Sequence, residues 1–205
     1  MQKSEFLPPR RTLAIAAILL LASLVLGVGS LMYRPASTGG SGVALVGGPF
    51  EMVNQKGETV TEQMLLRHYT LLFFGFTYCP DVCPTELQIM AAALESMGEM
   101  GHRIVPVFVS IDPERDTPEV VKSYVENFSP RLVGLTGTLD QVAKMADAYR
   151  VFYAKRENKE HPADYEMDHS SIVYLMGPDG KFLKHFTYST DPKALAEGLR
   201  QALQN

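Results

Sequence analysis

Apolar and polar positions along this chain switch between two periods, and each switch marks an element. Leu71 to Phe76 is a short, continuous apolar and aromatic run, which fits a strand covered on both faces. It stops at Thr77. From Pro84 onward, Leu87, Ile89, Met90, Ala93, Leu94 and Met97 follow helical spacing. Proline suits a first helical turn, where its missing N–H has no partner to lose. Ile104 to Ile111 predicts a second buried strand, in which Pro106 predicts a bulge or irregular pairing. Upstream, Phe50 to Val60 predicts a hairpin around Gln55-Lys56-Gly57, and Thr61 to Leu66 a short helical turn.

Downstream, Asp116 or Thr117 caps a helix with Pro118 at its first position and with Tyr124 and Phe128 on its apolar side. Leu132 to Leu135 reads as a short strand, Leu139 to Tyr149 as an amphipathic helix and Val151 to Ala154 as a strand fragment. Arg156 to Met167 is polar and has no period. Ser171 to Met176 and Lys181 to Phe186 form two strands joined by Gly-Pro-Asp-Gly, and Asp191-Pro192 opens a final helix to about Leu203. The alternation of strands and helices predicts an α/β domain whose mixed central sheet is flanked by helices.

The start of the chain follows neither period. Leu13 to Met32 carries no charge, and its length matches a hydrocarbon core of roughly 30 Å. Lys3, Arg10 and Arg11 precede it against Glu5 alone, which places the N-terminus inside and the remainder outside. A cleaved signal peptide is the competing reading, with Gly27 to Ser30 as a weak cleavage site. The organisation expected is a cytoplasmic tail over 1–12, a transmembrane helix over 13–33, a Gly/Ser/Pro-rich linker over 34–46 and a folded domain over 47–205.

Charge narrows the function further. The 19 lysines and arginines against 23 aspartates and glutamates give a net charge of −4, and the four bases and one acid up to Arg34 leave −7 for the rest. That balance excludes a nucleic-acid binder and fits a basic partner or the handling of cations.

The chemistry concentrates at Cys79 and Cys83, the only cysteines. Cys79 falls in the strand-to-helix loop and Cys83 at the mouth of the helix, where the dipole eases loss of a thiol proton. Their spacing lets the two sulfurs either bond to each other or converge on one ion. An exported compartment is oxidising, so such a pair becomes a disulfide unless a reductant or a metal keeps it open. A disulfide closing so short a loop constrains the unfolded chain little, which weakens a purely structural role. A metal needs a third ligand. Among five histidines, His68 and His102 lie in polar segments, His161 in the aperiodic stretch and His185 within a strand. His169 stands just before the strand from Ser171, at the sheet end where functional loops gather.

TYCPDVCPTEL, VSIDPERDTPE and DYEMDHSSIVYLMGPDGKF, in that order, closely resemble the Sco/SenC family of membrane-anchored copper proteins that help assemble the Cu(A) site of cytochrome c oxidase. The resemblance runs from about Gly47 to Leu203 and implies a thioredoxin-like fold. It implies copper ligation by Cys79, Cys83 and His169. Asp168 matches a family position implicated in tuning the site, and Asp81 between the cysteines adds negative charge near the thiols. Two thiolates and an imidazole make a soft set suited to Cu(I), able to accept Cu(II) with an added oxygen; zinc in a structural site wants a fourth protein ligand. Met167 is a further soft donor, though methionine more commonly fills a core.

The function so implied is a copper metallochaperone rather than an enzyme. Its partners are the oxidase subunit carrying Cu(A), an upstream periplasmic copper donor and the lipid bilayer through residues 13–33. Its location is a bacterial inner membrane, crossed once, with the C-terminal domain in the periplasm. The alternative is a thiol-disulfide oxidoreductase that keeps the oxidase Cu(A) cysteines, or another exported protein, reduced through the redox pair Cys79 and Cys83. Thioredoxin-like reductases usually place a cis-proline where this chain has His169-Ser170-Ser171.

Overall fold

Leu71, Leu72, Phe73 and Phe74 are at most 1% exposed, because the apolar run forms a central strand with neighbours on both sides and helices over its faces. The computed structural model describes residues 46–157, 164–188 and 190–204. That central strand is β3 (Tyr69–Gly75); it runs parallel to β4 (Ile104–Ser110) and antiparallel to β8 (Ile172–Met176). With β1 (Glu51–Asn54), β2 (Thr59–Thr61), β5 (Val133–Thr136) and β9 (Phe182–Thr187), the sheet has seven strands in the order β2-β1-β5-β4-β3-β8-β9. Two short strands, β6 (Tyr153–Arg156) and β7 (Glu166–His169), pair only with each other. The helices are α1 (Val82–Ser96), α2 (Glu99–His102), α3 (Pro118–Val125), α4 (Leu139–Ala148) and α5 (Pro192–Gln204).

The period of two along β3 divides its side chains between two layers. Phe73 packs towards Phe108 of β4, whose ring in turn meets Tyr124 of α3 at 5.4 Å. Gly75 faces the same way, onto Cys83 of α1. Phe74 meets Tyr149, the residue that ends α4, and Tyr149 meets Phe50. Helices close both layers with local signals that the sequence carries. Thr117 caps α3 by accepting the Val120 N–H with Pro118 next in line, and Thr138 and Gln141 form a reciprocal capping box on α4.

Three expectations change. Pro106 causes no irregularity: it pairs in register with Leu71, and β5 begins only opposite Val107, so towards that neighbour no bond is asked of the missing N–H. The strand expected over Val151 to Ala154 is β6, shifted to Tyr153–Arg156. The stretch from Arg156 to Met167 is not wholly irregular, since Arg156 pairs with Glu166 and Lys155 with Met167 in the β6–β7 arm. Such an arm of four-residue strands has too short an alternation for its period to register. Among the described residues no helix is long and apolar enough to cross a membrane, and the span expected over residues 13–33 lies outside them.

Candidate metal centre

Cys83 is fully buried and Cys79 partly exposed, and neither is in a disulfide. The helix begins at Val82, two residues before Pro84, so Cys83 lies inside the first turn rather than ahead of it. Asp81 occupies the N-cap, yet its side chain caps nothing. Cys79 does so instead: its Sγ accepts the Cys83 backbone N–H at 3.3 Å. A chain folded back to put Cys79 over a helix N-terminus thereby sets both sulfurs on one side of the loop.

That position makes Cys79 acidic. The Cys83 thiol donates to it, and the backbone N–H groups of Cys83 and Asp81 add to this, so its pKa falls to about 4 despite partial burial. Cys83 moves the opposite way: its proton is held by Cys79, and burial opposes its charged form. The pair therefore holds one proton, kept on the buried sulfur.

His169 is the last residue of β7. Its Nε2 lies 3.5 Å from the Cys83 Sγ, and its Nδ1 lies 3.2 Å from the Ser170 carbonyl oxygen. A carbonyl only accepts, so that contact puts the ring proton on Nδ1 and leaves the Nε2 lone pair facing the thiols. Phe73 and Phe76 meet the imidazole edge-on at 6.1 and 5.9 Å and fix its plane. The donor atoms of Cys79, Cys83 and His169 all lie within 4.8 Å of one another, and among the described residues no other such group of metal-ligating side chains forms.

A cavity of about 450 Å³ opens beside them, lined in part by Tyr78, Val82, Phe152, Met167 and Asp168. Cys79 and His169 line it and Cys83 lies behind them, and two sulfurs with one imidazole nitrogen suit a soft ion. Met167 is 8% exposed and belongs to both the cavity wall and the core. Asp168 points to the opposite face of β7 from His169, and its carboxylate pairs with Arg156 at 3.3 Å. Asp81 is exposed. Neither carboxylate joins the cluster of donor atoms. His68, His102 and His185 lie apart from it, and His161 falls outside the described residues.

Gly75 has a function that the sequence reading assigns to no residue. A Cβ built there would stand 2.8 Å from the Cys83 Sγ and 3.1 Å from both Phe108 and Phe73, so only glycine leaves room for the buried sulfur. A glycine interrupting an apolar strand run is the signal for such close approach.

The SCO1/SenC family pattern matches residues 38–204. The chain is a member of the SCO1/SenC family. Among the relatives of this SCO1/SenC chain, the mitochondrial SCO1 homolog 1 of Arabidopsis thaliana is 45% identical over 160 residues, covering 78% of this chain. The chain spans only 47% of that plant protein's length. An SCO2-like protein of Rickettsia prowazekii (strain Madrid E) is 38% identical over 194 residues, covering 89% of this chain and 95% of its own. The crystal structure of Arabidopsis thaliana ScoI with copper bound is 42% identical with a TM-score of 0.74, covering 78% of this chain and 98% of ScoI. BsSco, a member of the Sco family of cytochrome c oxidase assembly proteins in which a disulfide switch was identified, is 26% identical with a TM-score of 0.61, covering 78% of this chain and 94% of BsSco. The mixed sheet flanked by helices is thus the thioredoxin-like architecture of Sco structures.

Proposed function

We propose that this chain is a copper-binding assembly factor for cytochrome c oxidase, and that Cys79, Cys83 and His169 hold the ion as cargo for the Cu(A) site. The observation that carries the reading is the convergence of three soft or borderline donors, from two unconnected elements, beside an open cavity. Copper seen in a relative 42% identical supports it. Copper supplies a soft centre that thiolates and imidazole satisfy; the protein supplies one thiolate ready at neutral pH, one thiol that gives up its proton on binding, and a histidine whose tautomer is already set. Cys79 is the more exposed of the two sulfurs, so it is the sulfur from which an acceptor's ligands displace the ion. On this reading the chain turns over no substrate. A periplasmic domain held to a bacterial inner membrane by residues 13–33, taking copper from a periplasmic donor, completes the proposal.

The redox reading stays attached to the same two sulfurs. An acidic Cys79 beside a protonated Cys83 is arranged for disulfide chemistry, and BsSco carries a disulfide switch. We propose the disulfide as the state that cannot load copper, so that redox gates the cargo.

The deciding experiment loads the reduced full chain with copper ions, removes weakly held metal and measures copper content. One equivalent retained by the wild type, with affinity at least about 10–100-fold weaker in His169→Ala, is the expected result. Equal retention by the variant removes the histidine from the centre. No retention by the wild type, with rapid thiol-disulfide cycling, makes the oxidoreductase reading the better one.

A further inference from the structure

The loop between β4 and α3 touches both halves of the centre through one side chain. Arg115 is 15% exposed and donates from Nε to Asp112 and from Nη1 to the Tyr165 carbonyl oxygen at 2.9 Å. Its guanidinium carbon lies 3.7 Å from the centroid of the Tyr165 ring, 4.7 Å from that of Tyr78 and 5.9 Å from that of Phe76. Each of these rings adjoins a donor. Tyr78 precedes Cys79 in the chain. Phe76 packs edge-on against His169. Tyr165 stands at the head of β7, the strand that ends in His169.

The network beneath Arg115 is buried and continuous. Tyr165 donates its hydroxyl to Asp112 at 2.6 Å, while the Asp112 backbone N–H donates to Ser110 Oγ at 3.0 Å. Ser110 donates to Asp116, which also accepts the Thr77 backbone N–H and hydroxyl at 3.0 and 2.6 Å. One chain of bonds therefore runs from the start of the His169 strand to the residue that opens the Cys79 loop. Arginine suits the joint as no other side chain does: a planar cation both forks to oxygen acceptors and stacks on rings.

We infer that Arg115 is a positioning residue of the metal centre, holding the His169 arm against the Cys79 loop by stacking between Tyr165 and Tyr78. The inference rests on the proposed copper centre. The β6–β7 arm makes no strand pairing with the main sheet, so beyond its short link to β8 its distance from the cysteines depends on side-chain contacts, and Arg115 lies against rings on both sides. Removing it leaves both cysteines in place and loosens the histidine.

The test uses the reduced full chain with copper ions as probe, in wild type, Arg115→Met, Tyr78→Ala, His169→Ala and the double variant Arg115→Met/His169→Ala. Affinity is measured by competition titration, and histidine ligation by the nitrogen hyperfine coupling of the Cu(II)-loaded form. Arg115→Met is expected to weaken binding about 10–100-fold and to diminish the nitrogen signature. The double variant binds no more weakly than His169→Ala, because Arg115 acts through that histidine. A wild-type affinity and nitrogen signature in Arg115→Met, or losses that add in the double variant, overturn the inference. Should Arg115→Met fail to fold, Tyr78→Ala decides: Tyr78 is 65% exposed, so the fold tolerates the change. A several-fold loss with a weakened nitrogen signature is expected there, and unchanged binding overturns the inference. Equal binding by wild type and His169→Ala defeats the copper centre itself and takes this inference with it.

Discussion

Cys83 sits in the hydrophobic core, fully buried in a cradle made by Gly75, Phe73 and Phe108. His169 reaches the same point from a two-stranded arm outside the main sheet, held by ring stacking and a few polar bonds. The cysteine half is bound by packing, which resists small displacements because interiors are dense. The histidine half is bound by side-chain contacts at a rim, which open at lower cost. The two halves of the centre therefore differ in how firmly the fold holds them.

The largest expected effect comes from removing the buried sulfur. Cys83→Ser eliminates both tight copper retention and the disulfide, read by metal content and by thiol titration; a variant still holding one equivalent would falsify the two-sulfur centre. Gly75→Ala attacks the same half without touching a donor. Its methyl group cannot fit beside the Cys83 Sγ, so a stability loss of about 1–3 kcal/mol is expected in denaturant unfolding. Weaker copper binding accompanies it, and an unchanged midpoint means that the cradle is softer than the packing implies.

Glu86 marks a cost within the rigid half. It lies one turn beyond Cys83, 1% exposed, with neither carboxylate oxygen hydrogen-bonded among the described residues, and burial raises its pKa to about 7. A carboxyl raised from about 4.5 to about 7 leaves stability greatest below pH 4.5 and lowers it as pH climbs to 7, after which the loss is complete. Glu86→Gln removes the charge, so its apo form is expected to gain about 1–3 kcal/mol over wild type at pH 8 and little at pH 4. A difference independent of pH between those values counts against a buried titrating carboxyl. The smallest effect is one of reactivity. Iodoacetamide is expected to modify Cys79 of the reduced apo protein at a rate nearly constant from pH 8 down to pH 5, since its thiolate persists to about pH 4, while Cys83 stays unmodified. A rate that climbs tenfold per pH unit in that range shows an ordinary thiol.

Element types were legible wherever the pattern was long or punctuated. The run Leu71 to Phe76, the Pro84 helix, the Thr117-Pro118 cap and the Gly-Pro-Asp-Gly hairpin form elements of the expected type, the first as a strand over Tyr69–Gly75, because local sterics and burial act within a few residues. Asp116 was expected as a possible cap and is instead a buried acceptor for Thr77 and Ser110, a role that no local pattern announces. β6 was expected two residues early and β7 was missed for the same reason: four-residue strands depend on contacts such as those of Arg115, Tyr165 and Phe76, which lie far from them or at their ends in the chain.

The α/β alternation, two thiols at a helix mouth and a histidine where a loop meets a strand were readable in the chain alone, since spacing and helix electrostatics are local properties, while His169 as a ligand came from the resemblance to the Sco/SenC family. Only the tertiary structure decided that Cys79 and Cys83 divide one proton unequally, that a missing Cβ at Gly75 makes room for sulfur, and that Arg115 joins the two halves. Those outcomes depend on burial and on distances between residues up to 90 positions apart in the chain, from Cys79 to His169, and such distances exist only once the sheet has assembled.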